Sequence, residues 1–192
     1  MLDKAVAITM YRLFGLALIL CAWTASTANA VTLEQLSLDQ LAQSATAIVR
    51  ARVTSSSASY TGSTIYTHYK LQTSETWKGF PATEVMIPGG VANGYRQSFP
   101  GVPELQSGSE YVLFLWTSST GITHLVGLSQ GIFNVSQLLD GTLQVSRAQI
   151  GETMLDSSGQ KVKDQAVQMQ LLDMKSRVSR TAAAGGGPNR LQ

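Results

Sequence analysis

Between residues 64 and 77 the side chains alternate. Ile65, Thr67, Tyr69 and Leu71 form one set, and Tyr66, His68, Lys70 and Gln72 form the other. A repeat of two is the signature of a β-strand, whose successive side chains leave on opposite faces. The first set is therefore expected in a core and the second in water. The run is about 14 residues long, against a usual five or six. A strand of that length has to curl or bulge, and a small barrel uses that curl. Lys78-Gly79-Phe80-Pro81 then turns the chain.

Shorter strands follow the same logic. Residues 47–54 put Val49, Ala51 and Val53 on one face and Ile48, Arg50 and Arg52 on the other, and residues 55–63 read as a polar loop. Residues 84–87 form a short strand stopped by Pro88-Gly89-Gly90, and residues 91–108, rich in Gly and Pro, read as irregular. A dense apolar strand covers residues 109–117, a hairpin loop 118–121, and further strands 122–127, 132–135 and 143–145, the last after an Asp140-Gly141 turn.

Two helical patterns flank the strands. Thr32-Leu33-Glu34-Gln35 and Ser37-Leu38-Asp39-Gln40 fit the capping-box pattern, and Leu33, Leu36, Leu38 and Leu41 make a stripe that ends near Ser44. Over residues 161–180 the period becomes helical, with Val167, Leu171, Met174 and Val178 in line. Lys175, Arg177 and Arg180 fall in its last turns, where cations suit the helix dipole. Residues 181–192 carry Gly185-Gly186-Gly187-Pro188 and little to bury, so disorder is expected there. The expected architecture is mainly β, a small antiparallel barrel with a short N-terminal helix and a C-terminal amphipathic helix.

The first 30 residues read as a leader rather than as part of this domain. Lys4 and Arg12 precede an apolar run over residues 13–23, and a small, polar stretch ends in Ala28-Asn29-Ala30. This is the tripartite pattern of a secretory signal cleaved after Ala30. The apolar run is short for a permanent span of a hydrocarbon core, which needs about 20 residues. The product, residues 31–180 plus the tail, is expected to be secreted or periplasmic with no stable membrane span. Cleavage also removes Cys21, the only cysteine, so the mature chain holds no disulfide, thiol nucleophile or Cys-ligated metal. Leu18-Ile19-Leu20 before Cys21 argues against a lipidated cysteine. Charged residues make up 14% of the chain and the formal net charge is +2, too little to imply nucleic acid.

Four segments carry a family resemblance. They are residues 47–53 (AIVRARV), 64–67 (TIYT), Trp77-Lys78-Gly79 and 108–113 (GSEYVL). Together they resemble the netrin-like modules, which include the inhibitory domain of the tissue inhibitors of metalloproteinases. The likeness covers about residues 45–135 and implies an OB-fold barrel. In those inhibitors an N-terminal cysteine chelates the protease zinc. Here the expected mature start is Val31 and no cysteine follows. The resemblance therefore implies a fold and not protease inhibition.

Several motifs bear on chemistry. Gly127-Leu128-Ser129-Gln130-Gly131 matches G-x-S-x-G, but a nucleophile elbow needs a helix after it and a later histidine, and no histidine follows Ser129. His68 and His124 are the only histidines and lack metal-ligand spacing. Glu104 and Glu110 read as solvated charges, and Gly89-Gly90 as a turn. A face of Tyr66, His68, Lys70, Arg50 and Arg52 has the residue types that stack and neutralise nucleic acid, although the net charge is small. The irregular segment carries Tyr95, Arg96, Phe99 and Leu105, and aromatic and Arg side chains are the types favoured at binding hot spots; the alternative is that Phe99, Pro100, Val102 and Leu105 fold back to plug one barrel end. No catalytic, cofactor-binding or metal residue is assigned. The expected function is an exported, non-enzymatic module that binds a protein through Tyr95, Arg96 and Phe99. The alternatives are a secreted protease inhibitor, a hydrolase using Ser129, or a structural envelope protein.

Overall fold

The computed structural model of the chain describes residues 32–185; the expected signal, with Ala28 and Ala30 at its expected cleavage site, and the end of the tail lie outside the described residues. Strands cover 49% and helices 16%, and the fold is mainly β. Among the described residues the strands are β1 (Thr32–Glu34), β2 (Ala47–Thr61), β3 (Thr64–Lys78), β4 (Glu84–Pro88), β5 (Gly90–Ala92), β6 (Tyr95–Gln97), β7 (Glu110–Thr117), β8 (Thr123–Leu125), β9 (Ile132–Gln137), β10 (Leu143–Arg147), β11 (Thr153–Leu155), β12 (Lys161–Val162) and β13 (Val167–Gln170). The helices are α1 (Leu38–Ser44) and α2 (Leu171–Gly185).

The main sheet runs β13-β10-β9-β7-β2-β3-β4, with β8 beside β7, and its pairs are antiparallel. Among the described residues β13 and β4 are not hydrogen-bonded to each other. The sheet curls instead, so that β8 comes to lie against β4.

The alternation of β2 explains why the centre of this sheet is buried on both faces. Val49, Ala51 and Val53 enter one core with Tyr69, Leu71, Val85, Ile87, Leu113 and Leu115. Ile48 points the other way, into a second core with Val112, Phe114, Phe133 and Val145, and that core is covered by Leu41 of α1 and by Leu171, Met174 and Val178 of α2. The Trp77-Lys78-Gly79 turn ties the layers together. Lys78 Nζ donates to the carbonyls of Ala42 (2.8 Å) and Gln43 (3.1 Å) at the end of α1. A Cβ on Gly79 would lie 2.1 Å from the Thr46 carbonyl oxygen, so only glycine passes there.

Five expectations are corrected. The polar loop over residues 55–63 is strand: β2 continues to Thr61 and turns through Gly62-Ser63, with Thr61 paired to Thr64. The apolar side chains of this stretch, Ile65 and Tyr69, come from β3, while the β2 residues from Thr54 to Ser57 are exposed, so its serines carry no burial signal. The N-terminal helix begins only at Leu38, capped by the Ser37–Gln40 box, while Thr32–Glu34 forms a parallel pair with β11. The front of the expected C-terminal helix holds β12 and β13; Val167, Met169 and Leu171 satisfy a period of two as well as the helical one, and the edge of β10 captures the first two, while Leu171 opens the helix. That helix extends over Thr181 to Gly185, where disorder was expected. The irregular segment holds a hairpin, β5–β6, turned at Asn93-Gly94.

Candidate functional site

The segment nominated for binding divides in two. Leu105 is buried in the first core and Val102 packs on that core, so this part belongs to the core rather than to the surface. Tyr95 is 69% exposed and Phe99 41%, and Arg96 is also exposed. They do not hang on a free loop. Gln97 Oε1 accepts the backbone N–H of Ile65 (2.7 Å), and its Nε2 donates to the Ser63 carbonyl (3.0 Å). One amide thus clamps the β5–β6 hairpin to the tip of β2–β3. Gly90 allows the approach, since a Cβ there would lie 2.4 Å from Thr67 Oγ1. Tyr60 and Val91, 40% and 49% exposed, add apolar surface from the neighbouring strands.

Ser129 sits in a single 3-10 turn, Leu128–Gly131, that leads directly into β9. Its hydroxyl donates to the Gly101 carbonyl (2.9 Å). Gln130 beside it is 1% exposed. Its Oε1 accepts the Leu36 N–H (2.8 Å) and its Nε2 donates to the Glu34 carbonyl (2.8 Å). A Cβ on Gly131 would lie 2.2 Å from the Val126 carbonyl oxygen. The motif is accounted for by packing and by the amide that pins β1.

The basic and aromatic face on β2 and β3 is occupied by carboxylates. Arg50 meets Glu75 (2.9 Å) and Glu110 (2.9 Å), and Arg52 meets Glu110 at 3.7 Å. Glu104 is exposed. Farther along, His68 Nδ1 lies 2.8 Å from Glu84 Oε1, and Lys70 pairs with Glu84 Oε2. The His68 contact, followed by Lys70, holds the Glu84 carboxyl below its usual pKa. The second ring nitrogen of His68, Nε2, lies 3.0 Å from Ser59 Oγ.

Sequence reading misses this serine, because residues 55–63 pass for a loop. The signal is Thr61-Gly62-Ser63-Thr64. A two-residue turn at Gly62-Ser63 fixes a register with Ser59 opposite Tyr66 and diagonal to His68. His124 on β8 stacks on Trp116 at 6.0 Å and approaches Tyr66 at 6.4 Å. Among the described residues no group of three or more His, Cys, Asp or Glu side chains is placed to hold a metal ion. Nor is any helix among them long and apolar enough to cross a membrane.

No protein-family model matches the chain, and no characterised protein matches it.

Proposed function

We propose that the chain is an exported binding module that engages a protein partner through Tyr95, Arg96 and Phe99. The observation that carries this reading is the Gln97 clamp. Two exposed aromatic rings and an arginine are normally mobile and lose side-chain freedom on binding, a cost of about 0.5–1.5 kcal/mol each. Tyr95 and Arg96 stand on a hairpin whose backbone Gln97 already fixes to the β2–β3 tip, and Phe99 follows two residues after that clamp, so the further cost of ordering the backbone on binding is small. Aromatic and Arg side chains are the types that dominate interface energetics. The same reading takes the β2-β3-β4 meander, with β7 beside β2, as the frame of a netrin-like OB-fold, and takes residues 1–30 as its export signal.

The test uses the exported protein as bait on the extracytoplasmic fraction of its own cells. Wild type is expected to retain a protein that Tyr95→Ala/Arg96→Ala/Phe99→Ala loses by tenfold or more, with both baits melting at the same temperature. Equal capture by the two baits rules the site out. A wild type that retains nothing above a blank resin also counts against the reading.

A further inference from the structure

We propose that Ser59 is an activated nucleophile that accepts acyl groups from esters. This is an activity separate from the binding surface above. Three observations carry it. First, the connectivity is that of a serine relay. Glu84 Oε1 takes the Nδ1 side of His68 at 2.8 Å, which leaves Nε2, 3.0 Å from Ser59 Oγ, free to accept the hydroxyl proton. Lys70 on the other carboxylate oxygen favours the ionised Glu84 that the relay requires. The three residues stand on β2, β3 and β4, at cross-strand positions of one face, so the ladder rather than a loop holds them in place.

Second, a backbone donor is available beside the hydroxyl. Ile65, the pair-mate of Tyr60, gives its N–H to Gln97 and accepts from Gly89. Its pair with Tyr60 is therefore one without mutual bonds, and the Tyr60 N–H points to the opposite edge of β2. Strand β7 covers that edge only from Ala47 to Arg52, and among the described residues no other strand joins it. The N–H of the residue after the nucleophile is thus left unpaired by the sheet, and it is the backbone donor this proposal assigns to the oxyanion of an acyl adduct. Third, the rings of Tyr66, His124 and Trp116 run in a row from the residue opposite Ser59. They offer an aromatic track, tilted between Tyr66 and His124 and stacked between His124 and Trp116, and the substrate class this fits is an ester with an aryl or short acyl group.

The step balances within the site. Ser59 Oγ bonds to the ester carbonyl carbon while its proton passes to His68 Nε2. The tetrahedral adduct collapses, the C–O bond to the leaving alkoxide breaks, and His68 returns the proton to it. Water, with His68 again as base, releases the acid and restores the hydroxyl.

The test is labelling of the exported protein with a fluorophosphonate–biotin probe, the site being found by peptide mass spectrometry. Label is expected on Ser59. It should vanish in Ser59→Ala and persist in Ser129→Ala, and labelling should slow about 100-fold or more in His68→Gln. Ser59 and His68 lie on the outer face, so circular dichroism should show both variants folded. A p-nitrophenyl acetate burst that wild type gives and Ser59→Ala lacks reads out the same step. Unmodified Ser59, or His68→Gln labelled at the wild-type rate, overturns the proposal.

Discussion

A single amide decides what the G-x-S-x-G segment is for. Gln130 is fully enclosed and satisfies two backbone groups of the stretch that precedes α1, the Leu36 N–H and the Glu34 carbonyl. Removing it leaves both part-buried groups without this partner, and an orphaned group costs up to about 1–3 kcal/mol where water cannot replace the partner. Gln130→Ala is therefore expected to lower stability by about 2–3 kcal/mol in urea unfolding. Gln130→Glu should fare worse, because the new carboxylate is buried and cannot donate to Glu34. Ser129→Ala loses one bond to the Gly101 carbonyl and should cost about 1 kcal/mol. If Ser129→Ala proves the more damaging of the three, the serine and not the amide is the anchor. The sequence shows Gln130 as one polar residue in a glycine turn. Nothing in it announces a partner that lies 94 positions away.

At the scale of elements, α2 is held by charge as well as by its apolar stripe. Its buried positions, Leu171, Met174 and Val178, were legible from spacing alone. The role of its cations was not. Lys175 and Arg177 read as partners of the helix dipole, yet Lys175 Nζ meets Glu75 Oε2 at 2.7 Å and Arg177 Nη2 meets Asp39 at 2.8 Å. These contacts depend on which strand and which helix face α2, and spacing within one element cannot encode that. Lys175, with Trp77 and Arg50, holds the Glu75 carboxyl down to about 2 against the drag of burial. A lowered carboxylate pKa adds stability above the unfolded value near 4.5, and that stability is lost as pH falls toward 2. Lys175→Met should thus melt below wild type at pH 6, with the gap narrowing steadily between pH 4.5 and pH 2. A gap that stays constant across that range assigns the loss to packing of the lysine stem instead. Where spacing failed outright, at residues 161–170, two periods fitted the same apolar positions and an exposed sheet edge chose between them.

At the scale of the molecule, β2 sets up a gradient of stability. Its first half, from Ala47 to Val53, is enclosed between two cores, and its second half runs out on a polar ribbon with one free edge. Opening the first half exposes both cores at once. Opening the second half costs little apolar burial, so it belongs to the low end of local stability. Hydrogen exchange should therefore place the amides of Val49, Ala51 and Leu113 near the global unfolding free energy and those of residues 55–58 several kcal/mol below. The one slow amide expected at the tip is Ile65, held by Gln97. Phe114 tests whether the two layers act together. It is fully buried in the core under the helices and stacks edge-on with Phe133 at 5.7 Å. Phe114→Ala should cost about 3–5 kcal/mol. If one sheet carries both cores cooperatively, protection of Val53 and Leu71, on the opposite face, must fall by the same amount as that of Val112. Loss confined to the helix side would show two layers that melt apart, with the curled sheet standing without its helices.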